Sequence, residues 1–158
     1  MTQQTLAKTK QPAPTAKNPA APLKTAQTAQ KETLIQELEN IINHSTGTTN
    51  YHIYNRLTRN YVCTDSVLSL AQKAKCYWLL DLIASYHHNP KLNPEFQIWT
   101  LTLTPKNKRY AAIACGYNDT NELIIRQKID YTDFPLPTLK LYVTKMDNYQ
   151  VILLPSEY

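Results

Sequence analysis

The chain has 158 residues and a formal net charge of +5, with ten prolines, three cysteines and two glycines. Lys8, Lys10, Lys17, Lys24 and Lys31 carry that excess, because residues 1–31 hold no acid and the basic and acidic side chains beyond them balance. The basic pI is therefore no nucleic-acid footprint of the folded part. An odd cysteine count without a secretory leader argues for a reducing cytoplasm, and no apolar run approaches the roughly twenty residues that span a bilayer.

Residues 1–31 are mostly Gln, Thr, Ala, Lys and Pro, and Pro12, Pro14, Pro19 and Pro22 interrupt any helix through them. They are expected to form a disordered basic tail, and residues 32–158 a single α+β domain. Lys10, Lys17, Lys24 and Lys31 recur every seven residues, but without apolar a and d positions they make no coiled coil. Dispersed lysines release few counterions together, so the tail reads as a solubilising leader. The sharper alternative is a loose tether to nucleic acid or to an anionic membrane.

Leu34, Ile35, Leu38, Ile41 and Ile42 recur along one helical face, which predicts an amphipathic helix over 32–44 ending near Gly47. Residues 51–62 interleave Tyr and Ile with Asn, Thr and Arg and read either as a strand or as an irregular cover. Thr64 is a good N-cap for a long helix running to His88, where Asn89 and Pro90 stop it. Its C-terminal half is apolar nearly all round, which implies burial on more than one side.

Beyond Pro94 the pattern becomes that of strands, over 95–104, 109–115, 122–129, 139–143 and 149–154. The connections are mostly short, which suits an antiparallel meander of four to five strands with the N-terminal helices packed on one face. The stretch from Gly116 to Asn121 reads as a turn. Pro135 and Pro137 cannot donate ladder hydrogen bonds, so 133–137 is a loop or an edge.

Several chemistries are missing. With only Gly47 and Gly116, neither a dinucleotide fingerprint nor a phosphate-cradling loop is present. Cys63, Cys76 and Cys115 form no C-x-x-C pair and the four histidines have no metal spacing, so no metal or cofactor is expected. His87 and His88 close a helix and are read as C-terminal caps.

Asp81 is the most pointed residue, since it lies between Leu80 and Leu82 in the most apolar helix. A buried carboxylate is costly unless paired. The expectation is a structural hydrogen bond from a tyrosine, an amide or an arginine, with a functional carboxylate as the alternative.

Four motifs carry a resemblance: Cys76-Tyr-Trp-Leu-Leu-Asp-Leu-Ile-Ala-Ser-Tyr86, Phe96-Gln-Ile-Trp99, Asp130-Tyr-Thr-Asp-Phe-Pro-Leu136 and Leu153-Leu-Pro-Ser-Glu-Tyr158. Together they resemble a bacterial family, domain of unknown function 6876, met in cyanobacteria, phages and plasmids. The likeness covers about residues 46–158 and leaves the tail outside. It implies a bacterial or mobile-element source and an intact domain ending at the last residue, and it transfers no catalytic or binding role.

The same motifs gather aromatics and acids. Tyr131, Asp133, Phe134, Ser156, Glu157 and Tyr158 are candidates for one surface, against the plainer reading that Phe134 and Tyr158 plug the core while Asp133 and Glu157 satisfy amides. The leading expectation is a non-enzymatic interaction or accessory protein with a protein partner. One alternative is weak nucleic-acid association through the tail and a turn containing Lys106, Lys108 and Arg109, helped by Arg56 and Arg59. Another is a small enzyme built on Asp81, Asp133 or Glu157.

Overall fold

The computed structural model describes residues 21–55, 57, 60–106 and 109–158. Three helices, α1 (Ala21–His44), α2 (Asp65–Lys73) and α3 (Tyr77–Ser85), accompany seven strands. The strands are β1 (Tyr51–His52), β2 (Tyr61–Thr64), β3 (Phe96–Lys106), β4 (Arg109–Asn118), β5 (Leu123–Thr132), β6 (Thr138–Met146) and β7 (Tyr149–Leu153), followed by a 3₁₀ turn at Pro155–Glu157. All seven form one sheet in the order β1-β2-β7-β6-β3-β4-β5.

The α+β class stands, and the arrangement differs from a four- to five-stranded meander. β3, β4 and β5 are consecutive antiparallel neighbours, but β6 returns to pair with β3. The order β6-β3-β4-β5 is that of a Greek key. Residues 133–137 make this crossing, and their two prolines favour the extended backbone it needs. Three strand spacings amount to about 14 Å, and six extended residues reach about 20 Å. β2 adds a parallel pairing with β7, Val62 opposite Val151. All four residues of β2 are buried, so it lacks the in-out alternation by which a half-buried strand is recognised.

The helices also differ from expectation. α1 begins at Ala21, so residues 21–31, assigned by composition to the tail, are helical. Pro22 sits in the first turn, where a missing N–H costs nothing. The part of the expected tail before Ala21 lies outside the described residues. The single helix expected over 64–88 is two. Lys75 has φ 52°, the Cys76 N–H donates to the Ala71 carbonyl at 2.9 Å and the Lys75 N–H to that of Gln72 at 3.4 Å. This is a Schellman closure, after which α3 sets off in a new direction. His87 Nδ1 bonds the Ala84 carbonyl at 2.8 Å beyond the end of α3, as a cap should.

One core joins the layers. Leu38 of α1, Val67 and Leu70 of α2, and Leu80 and Ile83 of α3 share a buried cluster with Trp99, Leu101, Leu139, Leu141, Val143 and Ile152 of the sheet. These strand residues alternate, so the three helices cover one face. Trp99 dictates a glycine at its register partner Gly116, where a Cβ would stand 3.0 Å from the indole. Gly116 is therefore inside β4 and not in a turn. The opposite face carries a smaller buried group, Val62, Val151 and Leu153.

Candidate functional site

The outer side of α3 begins the site. Leu79, Leu80, Ile83 and Ala84 are buried on its inner side, and residues three or four apart share a face, so Trp78, Asp81, Leu82 and Ser85 are left to the outer one. Asp81 is exposed. This corrects the expectation of a buried carboxylate: the helix is apolar on two flanks, and Asp81 falls on the wet seam between them. Asn55 Nδ2 donates to Asp81 Oδ1 at 2.8 Å, a structural hydrogen bond of the anticipated kind from an unanticipated donor.

Facing α3 is the end of β5. Thr132 is buried and its Oγ1 accepts from the Phe134 N–H at 3.1 Å, a bond that bends the chain as it leaves the sheet. The bend sends Phe134 into the core, 2% exposed, and leaves Asp133 and Tyr131 outside, with Tyr131 61% exposed. Asp81, Tyr131 and Asp133 thereby line one open groove of about 650 Å³, with Trp78, Leu82 and Ile129 as its apolar lining. A second groove of about 660 Å³ lies on the far side of Tyr131 and Asp133, against Lys31 and Leu34 of α1 and Tyr110 of β4.

Ser156, Glu157 and Tyr158 are elsewhere. Ser156 Oγ donates to the Ile42 carbonyl at 3.1 Å, whereas the second groove touches α1 at Leu34, about 12 Å back along the helix. Glu157 Oε2 accepts from Thr64 Oγ1 at 2.8 Å and from the Leu154 N–H at 2.9 Å. The Tyr158 ring leans on Phe96 and Tyr142 at centroid distances of 5.1 and 5.7 Å. The six expected residues thus divide into an exposed pair beside Asp81, a core plug at Phe134, and a C-terminal latch. Phe134 is too buried to meet a partner.

The most polar cluster was not anticipated. Asp65, the first residue of α2, accepts from His52 Nε2 at 2.6 Å, Thr48 Oγ1 at 2.9 Å and the backbone N–H groups of Thr49 and Asn50 at 3.0 and 3.1 Å. The His52 bond, followed by that of Thr48, holds its carboxyl well below the usual carboxylate range. Cys63 is pushed up to about 12 by burial, then by the charges of Asp65 and Glu157. Cys76 is pushed up to about 12 by burial. Both thiols are therefore protonated at neutral pH and are poor nucleophiles. Asp65 is legible in the sequence as a first-turn acid, but no pattern pairs it with His52.

Among the described residues, no three His, Cys, Asp or Glu side chains gather as a metal-ion site. Lys106 and Arg109 are register partners at the end of the β3–β4 ladder where the chain passes from one strand to the other. Lys108, Arg56 and Arg59 lie outside the described residues. Among those described, no helix is long and apolar enough to cross a membrane.

The model of DUF6876, a family of unknown function, matches residues 36–158. The chain belongs to that family. The DUF6876 match starts earlier than the four motifs suggested, inside α1, and so takes in Leu38, a fully buried residue of that helix. All of the α3–β5 groove lies within it, whereas Lys31 and Leu34 fall before it. No curated protein resembles this DUF6876 chain in sequence. A crystal structure of a protein of unknown function from Enterococcus faecalis is similar in part, with a TM-score of 0.42 and 16% identity over 67% of this chain and 98% of that one.

Proposed function

We propose that this chain is a non-enzymatic, protein-binding accessory module that takes an extended peptide segment of a partner beside β5. The observation that carries this reading is the convergence of Asp81, Tyr131 and Asp133 on one open groove next to the last strand of the sheet. Among the described residues β5 ladders with β4 alone, so its other edge offers backbone N–H and C=O groups to an added strand. The groove supplies what strand addition needs for specificity. Trp78, Leu82 and Ile129 receive an apolar side chain, and the exposed Asp81 and Asp133 receive a lysine or arginine.

The carboxylates are also poorly arranged for catalysis. Asp81 and Asp133 are both open to solvent, and Glu157 Oε2 is committed to Thr64 and to the Leu154 amide. A partner from a mobile element or its host fits the family resemblance and is part of the same proposal.

Selection of a displayed random-peptide library on the full chain tests the reading. Enriched peptides should alternate apolar and basic residues, and the double charge reversal Asp81→Lys, Asp133→Lys should weaken them by about tenfold or more, the equivalent of ~1.4 kcal/mol. Peptides that bind the reversed chain as tightly as the original would overturn it.

A further inference from the structure

A separate cavity of about 180 Å³ lies on the helix-covered face toward the β2–β7 end of the sheet, lined by Tyr61, His87, Leu92, Pro94, Gln97 and Gln150, with the exposed Asn60 and Asn148 beside them. Among the described residues, no Lys, Arg, Asp or Glu lines it. Its polar groups are unusually well buried, with Tyr61 3% and Gln97 4% exposed. Interiors seldom retain such groups without partners.

The donors and acceptors can be assigned one by one. Trp99 Nε1 donates to Gln97 Oε1 at 3.0 Å, and an indole N–H can only donate. The Gln97 oxygen is therefore committed, and its NH₂ group remains as a donor at the cavity. Gln150 Oε1 is buried and has no hydrogen-bond partner among the described residues. It remains as an acceptor. The two glutamines stand on β3 and β7 with β6 between them, Gln97 opposite Val143 and Gln150 opposite Lys145, so two strand spacings and a two-residue offset put their backbones about 12 Å apart. His87 is fixed by its bond to the Ala84 carbonyl and stands edge-on to Tyr61. Burial raises the Tyr61 phenol, which therefore stays neutral and able to donate.

A donor and an unpaired acceptor lining one cavity are complementary to an amide group, which offers both a C=O and an N–H. We infer that this cavity binds a small neutral molecule through an amide edge, its oxygen taking the Gln97 NH₂ and its N–H given to Gln150 Oε1. The absence of charged side chains disfavours carboxylates, phosphates and ammonium groups, which would lose their hydration without an ionic partner. The volume suits one small ring, or about six waters at ~30 Å³ each. The edge is shared by the lactam of a nucleobase and by a primary carboxamide.

Amide ¹H–¹⁵N spectra of the full chain, titrated with uracil, hypoxanthine, nicotinamide and acetamide, test the inference. Saturable shifts of the Gln97 and Gln150 side-chain NH₂ signals should appear with one class, with uracil and hypoxanthine marking a nucleobase site and the other two a carboxamide site. Gln150→Leu should weaken that ligand by about tenfold. Its thermal midpoint should be no lower than that of the unmodified chain, because an unpaired buried acceptor has been removed. Tyr61→Phe, which keeps the ring, should also weaken binding while leaving the fold intact. No saturable shift with any of the four compounds at about 10 mM would mean a water-filled cavity, equal affinity in the Gln150→Leu chain would mean binding without the Gln150 acceptor, and either result would overturn the inference.

Discussion

Thr64 Oγ1 donates to Glu157 Oε2 at 2.8 Å, a bond between residues 93 apart in sequence. The same hydroxyl accepts from the Val67 N–H at 3.3 Å as the N-cap of α2. The chain's last turn therefore orients the cap that starts a core helix, and Glu157 places a negative charge where the dipole of α2 favours one. Removing the carboxylate strands the Leu154 N–H as well.

Glu157→Ala should accordingly cost about 1–3 kcal/mol, a fall in thermal midpoint of roughly 3–10 °C for a domain of this size. Glu157→Gln retains an acceptor and should cost less. An unchanged midpoint for the alanine variant would show that the latch contributes nothing.

Asp65 gives the fold an acid limb. Its folded-state value lies below the unfolded one, chiefly through the bonds from His52 and Thr48. The stabilisation is thus complete above the ordinary carboxylate value of about 3.9 and is lost as pH falls through the lower folded value. Urea midpoints should fall as the pH drops below about 4. In Asp65→Asn, which cannot ionise, the midpoint at neutral pH should be lower and this part of the acid limb flatter. Parallel curves for the two chains would sink the assignment.

The close approach of Trp99 to Gly116 is tested by Gly116→Ala. The added methyl meets the indole at 3.0 Å, and both residues are held in register by the β3–β4 ladder. Overpacking of this kind costs about 1–3 kcal/mol. The Trp99 ring should move, so near-ultraviolet circular dichroism should change along with stability. A variant that keeps both would show that the ring has slack.

Asp81 shows how far sequence reasoning reached. The helical pattern from Cys76 onward is legible, yet the exposure of one residue depends on where the helix begins, and the pattern alone reads as a continuation of α2. Strands β3 to β7 were legible because each has a turn signal at its ends. Their order was not, since the reach of residues 133–137 across two strands is a property of extended backbone that no local pattern carries. Asp81, Tyr131 and Asp133 proved to share a groove, while Glu157 and His52 acquired partners only through the tertiary fold. With Asp81 exposed, Asp81→Asn should change stability by less than about 0.5 kcal/mol. A larger loss in a urea titration would restore the buried reading.

Lys75 decides whether α2 and α3 are one helix or two, and it does so without a glycine. Its φ of 52° places a Cβ against the following carbonyl, at a cost of about 1–2 kcal/mol. The side chain is exposed, so little packing is lost when it is removed. Lys75→Gly relieves the strain, although the freer unfolded chain offsets about 0.4–1 kcal/mol of the gain. A net stabilisation of roughly 0.5 kcal/mol should remain, with the urea m-value unchanged. Lys75→Val should lose stability, because a β-branched residue resists positive φ most. If the valine chain were instead as stable and more helical by far-ultraviolet circular dichroism, the closure at Ala71 and Gln72 would be dispensable. Residues 65–85 would then prefer one continuous helix, and Asp81 would rotate off the groove it now lines.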